Sequence, residues 1–305
     1  MPLPFSRSGS SRLRTFVAGA QNCRPLVVLT WLTAPVFPLY CLLILDYMNY
    51  SGHPTLLIHH VEEFPGAVFF SVLVMELLFL VLLLLFGRLT PAAVTLGLVS
   101  LICSYVNYTK VALNGDHFMP QDITMLSNAG ELTSFLSGSL PALFWVSAAA
   151  MAVWLAVYGV MGLRLSIRRS IRWIAAAVIV SLSVYTSWDR TRASWFLSHF
   201  QMAFMDTALQ SSNYNANGFV GAFVLNLMSL RIQAPEEYSQ ATIDDILEAY
   251  EATPAQEGAE QFDVIVILSE SFFDARILDG VEFSVNPLSH YDALLENPRC
   301  YSGKI

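Results

Sequence analysis

The residues best suited to chemistry are acidic side chains set beside or inside apolar runs. Toward the C-terminus, Phe262-Asp263-Val264-Ile265-Val266-Ile267-Leu268 is rich in β-branched residues without alternation, and Ser269-Glu270-Ser271-Phe272-Phe273-Asp274 follows at once. Such a run suits a strand buried on both faces of a parallel sheet. Ligands of open α/β sheets bind outside the carboxyl ends of strands, so Glu270 is placed to hold a metal or a polar substrate. Equally, Ser269 or Ser271 can cap a helix whose dipole Glu270 complements. Spacing alone leaves both readings open. A second group, Asp116, His117 and Asp122, sits in the polar stretch 109–140 and is a candidate for binding a substrate. Glu76 stands deep in a long apolar run. A carboxyl there is costly and should face other helices and find a partner; handling a lipid headgroup and neutral, hydrogen-bonded packing both fit.

The elements that must position these residues are mostly apolar. Of 305 residues, 55% are hydrophobic and 13% charged, with a mean hydropathy of +0.52, against about 25% charged in soluble domains. Residues 1–188 carry ten Lys/Arg and seven Asp/Glu, whereas residues 189–305 carry six and seventeen. A slightly basic apolar half is joined to an acidic, soluble-looking tail. That tail excludes nucleic acid as a partner, because phosphate contacts need clustered Lys/Arg. Cys23, Cys41, Cys103 and Cys300 show neither paired nor zinc-like spacing and read as small hydrophobes.

A hydrocarbon core takes roughly 20 helical residues to cross. Runs near 26–46, 67–86, 91–108, 141–163 and 172–188 meet that need, giving an α-helical polytopic membrane domain of about five transmembrane helices over residues 1–188. The first run is too long for the apolar part of a removable signal peptide, and no small-residue cleavage pattern follows it. Arg7, Arg12, Arg14, Arg24, Arg88, Arg164, Arg168, Arg169 and Arg172 all fall on one side if the N-terminus is inside, and no acid accompanies them. Arg190 and Arg192 are the exceptions on the other side. The positive-inside rule therefore predicts a cytoplasmic N-terminus, and an odd number of spans exports everything beyond about residue 189.

In the loop 109–140, Asn114-Gly115-Asp116-His117 reads as a turn. Beyond Pro120, Ile123, Leu126, Leu132, Phe135 and Leu136 recur at mostly helical spacing, which predicts an amphipathic helix on the membrane surface. It either helps to hold a lipid or simply covers the bundle. Residues 189–261 read as an extracytoplasmic interfacial segment, with Trp195, Phe196, Met202 and Met205, followed by an acidic linker. Within it, 213–218 is rich in turn residues and 219–230 is apolar but too short to span. Thr242 is a candidate cap for a helix from Ile243 to about Glu251.

The layout resembles the lipoteichoic acid synthase-like phosphoglycerol transferases of the alkaline phosphatase/sulfatase superfamily. The likeness is carried by residues 115–135 with their Pro120-Gln121-Asp122-Ile123 core, by Tyr214-Asn215-Ala216-Asn217-Gly218-Phe219 followed by Pro235 and Tyr238-Ser239, and by the run ending in Ser269-Glu270-Ser271-Phe272. It implies that residues 262–305 hold the first strand and helix of an α/β sulfatase-like catalytic domain. It also implies a bacterial cytoplasmic-membrane enzyme that moves a phosphoglycerol-type group from a membrane phospholipid donor to a glycan or lipid acceptor at the outer face. The cofactor implied is a divalent metal, commonly manganese, with magnesium or zinc as alternatives, and Glu270 matches the family's metal-binding glutamate. Hard oxygen ligands suit manganese and magnesium.

The family's nucleophilic threonine lies a few dozen residues past that glutamate, and no candidate stands between Glu270 and Ile305. The catalytic residue is therefore expected beyond Ile305, and His290, the only later histidine, reads as a surface residue. Some 44 residues cannot bury a core of their own, so the tail is expected to be the first slice of a larger domain and the chain by itself to be inactive. A non-enzymatic membrane anchor is the alternative, as are related phosphoethanolamine transfer and sulfate-ester hydrolysis. A transporter is disfavoured, because Glu76 alone is a deep charge and no repeated half is visible.

Overall fold

The computed structural model describes residues 17–123, 140–202, 210–230, 238–249, 273–278 and 280–297. The chain forms two compact units, Met1–Ala234 and Pro235–Ile305. The described residues of the expected interfacial segment, 189–202 and 210–230, fall within the first unit.

The first unit contains α1 (Arg24–Thr33), α2 (Val36–Asn49), α3 (Pro54–Glu63), α4 (Pro65–Phe86), α5 (Leu89–Asn114), α6 (Ala142–Met161), α7 (Arg169–Ser187), α8 (Arg190–Ser198) and α9 (Gln210–Ser229). Five segments are long and apolar enough to cross a membrane: Arg24–Asn49, Pro65–Phe86, Leu89–Leu113, Ala142–Met161 and Arg169–Ser187. Their number is the number expected. The first is broken at Ala34 and Pro35, where Ala34 N–H turns back to the Trp31 carbonyl (3.2 Å) and Phe37 N–H to that of Ala34 (3.3 Å). Pro35 and Pro38 lack the N–H groups that would continue the helical ladder, and these tighter bonds restore the pairing.

Chain direction alternates along α2, α4, α5, α6 and α7, so the bundle has two ends. Where α4 stops, Gly87 takes a left-handed conformation, φ 65°, which costs glycine little. Leu89 N–H then bonds the Leu163 carbonyl and Leu165 N–H that of Gly87, both at 3.0 Å, around an antiparallel bridge of Arg88 with Arg164. This is the arginine end. Mid-bundle, Phe37 packs against Phe79, Trp154 and Tyr158 with ring centroids 5.5–6.0 Å apart. In lipid such packing, rather than escape from water, holds helices together. The outward faces stay apolar, as with Ile174, Leu182 and Val153.

The opposite, loop end is closed by α9, which is not a straight rod. Gly218 has φ 66° and ψ 179° inside it, a region open essentially to glycine alone. On either side, the Gln210 and Asn226 amides bond each other reciprocally, at 3.1 and 2.8 Å. A straight helix would set residues so spaced about 24 Å apart. The chain therefore reverses at Gly218 into two antiparallel half-helices. The expected turn is one residue of a buried helical hairpin, and neither arm is a span.

In the second unit, α10 (Gln240–Ala249) is capped by Ser239, whose Oγ accepts from Thr242 N–H at 3.2 Å. The cap thus lies ahead of Thr242. A 3-10 turn (Ala275–Ile277) and α11 (Ser289–Leu295) follow, and His290 is exposed at the start of α11. The run at 262–268 and Glu270 lie outside the described residues, and no strand occurs among those that are described.

The hairpin is directly testable. In a background without the native cysteines, paired Gln210→Cys and Asn226→Cys substitutions are expected to cross-link under mild oxidation, read as a shift on non-reducing gels. A continuous helix would leave them uncoupled.

Candidate functional site

At the loop end, polar side chains that the sequence scatters over α2, α3, α5 and α9 meet below the surface. Four hydrogen bonds form a closed circuit. Asn49 Nδ2 donates to the Tyr214 carbonyl (3.1 Å), Tyr214 Oη to the Phe118 carbonyl (2.7 Å), Phe118 N–H to Asn107 Oδ1 (2.9 Å), and Asn107 Nδ2 to Asn49 Oδ1 (3.3 Å). Asn107 and Tyr214 are 0% exposed. Tyr50 Oη adds a bond to the Asn215 carbonyl at 3.0 Å. Burial pushes the Tyr50 and Tyr214 phenols upward, so both remain protonated donors.

The hairpin turn has its own support. Asp46 Oδ1 accepts from Phe219 N–H at 2.8 Å, placing a carboxylate at the N-terminus of the second half-helix, where the dipole favours it. A Cβ on Gly218 would fall 2.9 Å from that oxygen and 3.2 Å from His60 Nε2, so only glycine fits. His60 is 2% exposed and flanked by the Tyr50 and Phe64 rings. Burial lowers its pKa against a smaller opposing pull from the Asn215 carbonyl. That carbonyl makes no well-formed bond to the ring, and both ring nitrogens lack a hydrogen-bond partner among the described residues.

Of the residues singled out from sequence, His117 and Asp122 do come together here. Lys110 Nζ donates to the His117 carbonyl (2.9 Å) and to Asp122 Oδ2 (2.7 Å), which also accepts from Met119 N–H (2.8 Å). The His117 ring lies parallel to that of Tyr214, centroids 4.3 Å apart, and burial lowers its pKa to about 4. Asp116 is exposed and acts on His117 only through its charge. Residues 120–123 form a 3-10 turn; the remainder of the expected amphipathic helix, 124–136, lies outside the described residues.

Glu76 is remote from this cluster. It lines an apolar groove of about 340 Å³ with Trp31, Ala34, Pro35 and Phe79. Among the described residues no hydrogen bond or ion pair reaches its carboxyl, contrary to the partner expected for it. Glu76 is also not the only acid near a span: Asp46, at the end of the first one, is the buried carboxylate. Asp46, Asn49, His60 and Asn107 escaped sequence reasoning because the groups they meet lie on other helices, far away in the sequence.

Among the described residues, no group of three or more His, Cys, Asp or Glu side chains could hold a metal ion. In the second unit, Arg276 binds both Asp274 (2.6 Å) and Asp292 (2.8 Å) and holds their carboxyls below the usual range. Neither is free for a cation, so the described residues do not fit a metal centre. The loop-end cluster offers amides, imidazoles, phenols and two carboxyl groups, Asp46 and Asp122, in fixed positions, which suits binding and positioning.

No protein-family model and no solved structure matches the chain. A protein of Rhizobium meliloti (strain 1021) does. Its name gives it, provisionally, as a cyclic beta-1,2-glucan modification protein, and it is 28% identical over 215 residues, 67% of this chain. The chain spans 33% of the length of that relative.

Two outcomes follow from this geometry. Asn107→Ala or Tyr214→Phe each leaves buried partners unsatisfied and should cost about 1–3 kcal/mol. The double variant should cost less than the sum, because both changes open one circuit; thermal unfolding in detergent measures this. The second outcome concerns pH. Folded His117 holds its proton less tightly than the unfolded chain, so its contribution is fully present above about pH 6.5 and drains away as pH falls toward about 4. The midpoint temperature should drop over that window, and His117→Gln should flatten the drop.

Proposed function

We propose that this chain is the membrane bundle and leading segment of a phosphoglycerol-type transferase that modifies an envelope glucan. The observation that carries the reading is the similarity to the Rhizobium meliloti protein named for glucan modification, on a chain with five candidate spans. In this proposal the N-terminus is cytoplasmic, and the chain beyond α7 faces outward from a bacterial cytoplasmic membrane.

The donor is a membrane phospholipid and the acceptor a sugar hydroxyl. The phosphorus–oxygen bond to the diglyceride breaks, a new one forms to the acceptor oxygen, and the acceptor's proton ends on the departing diglyceride oxygen, which leaves as a neutral alcohol. The loop-end cluster supports a positioning role for the bundle. It holds the His117–Asp122 turn and the Tyr214–Phe219 segment together, and in this proposal both stand near the donor headgroup. Both segments carry the resemblance to phosphoglycerol transferases, and both are held by the same circuit. Glu270 is the proposed ligand of a divalent metal, manganese foremost, which would offset phosphoryl charge.

The test is made in the natural reading frame. Glu270→Ala should lower the phosphodiester content of extracted glucans by roughly 100-fold or more, a metal ligand mattering at least as much as its supporting residues. Phosphorus NMR of the glucan fraction reads this out. An unchanged signal would exclude Glu270 from the reaction, and ethanolamine in place of glycerol on the lost phosphate would assign the related phosphoethanolamine chemistry.

A further inference from the structure

The arginine end of the bundle contains a charge without a counter-charge. Arg172, one turn inside α7, lays its guanidinium directly over Gly87, where a Cβ would occupy the same space. Its Nε and Nη1 atoms are buried and have no hydrogen-bond partner among the described residues. Arg172 as a whole is half-buried; arginine does not shed its proton, and donor groups shielded from water without a partner cost stability.

The described helical segments that reach this end have no acid to offer there. Residues 1–45, 77–115 and 132–188, which include every described segment reaching this end, contain neither Asp nor Glu. More positive charge surrounds the spot instead. Arg88 and Arg164 face each other across the bridge beside Gly87, and Arg168 lies one turn before Arg172, joined to it by the Arg172 N–H bond to the Arg168 carbonyl at 3.1 Å. None of these arginines belongs to an ion pair among the described residues. Arg169 rests over the Trp173 ring, 5.7 Å from its centroid, and a tryptophan at the end of an apolar helix marks headgroup level.

No described residue of the chain supplies the partner, and an anion with several acceptor oxygens at headgroup depth would fit. We propose that Arg172, flanked by Arg88, Arg164 and Arg168, binds the phosphate of an anionic membrane phospholipid. Phosphate matches the forked guanidinium, and a net-negative lipid, unlike a zwitterionic one, does not cancel its own attraction to a basic pocket. This site lies at the opposite end from the loop-end cluster and does not rest on the transferase reading.

The experiment uses the detergent-purified chain with phosphatidylglycerol, phosphatidylcholine or inorganic phosphate added, reading midpoint temperature and lipid retention by native mass spectrometry. Phosphatidylglycerol should raise the midpoint and be retained, while the other two leave both unchanged. Arg172→Gln should weaken apparent phosphatidylglycerol affinity roughly tenfold or more. Should that variant not fold, the paired exposed-site change Arg164→Gln with Arg168→Gln should still weaken retention and its salt sensitivity. Three results would overturn the proposal: equal retention of both lipids, equal protection by inorganic phosphate, or Arg172→Gln that lowers stability with lipid affinity intact. The last would make Arg172 only a complement to the C-terminal dipole of α4.

Discussion

The loop end of the bundle depends on the closed hydrogen-bond circuit through Asn49, Tyr214, Phe118 and Asn107. Each member has its partners only because the others are in place. Helices α2 and α5 supply the two asparagines, the turn after α5 supplies Phe118, and the hairpin supplies Tyr214. In an apolar setting a missing member strands its neighbours, so the circuit acts as one unit. It also explains why a hairpin with a reversed backbone at Gly218 can sit among membrane helices. Irregular backbone at such depth is tolerated where protein groups satisfy it, and Asp46 meets the freed Phe219 N–H.

The bundle's two ends solve different electrostatic problems. At the loop end, buried Asp46 is bonded to a backbone N–H, and Asp122 is paired with Lys110. His117 stays neutral because burial disfavours its cation. At the arginine end, positive charge gathers where residues 1–45, 77–115 and 132–188 contain no acid. A protein held between two such ends has a polar, rigid platform on one side and an anion-seeking rim on the other.

Much of the first unit was legible in the sequence. Long apolar runs must cross or be buried, so the number of candidate spans followed from length and composition, as did the alternation of basic and acid-bearing connections. The resemblance to phosphoglycerol transferases singled out the turn containing Asp122 and the stretch around Gly218, and these prove to be bonded together. The partners were not legible. Asn49, His60 and Asn107 each look like stray polar residues, because a helix interior carries no local signal for what a distant helix will present. Gly218 read as part of a turn-rich loop, since glycine and asparagine favour both turns and the reversal inside a hairpin. Glu76, conspicuous in sequence, lines a groove away from the cluster.

The sequence by itself determined that this chain enters a membrane repeatedly, that basic residues crowd one set of connections, and that an acidic segment follows. Those properties are sums over residues, and no folding is needed to compute them. Tertiary structure alone decided which polar groups share an interior, that the Tyr214–Phe219 stretch folds back on itself, and that Arg172 lies unpartnered over Gly87. Such pairings join residues up to 173 positions apart, as Asp46 and Phe219, and only packing geometry brings those atoms within bonding distance.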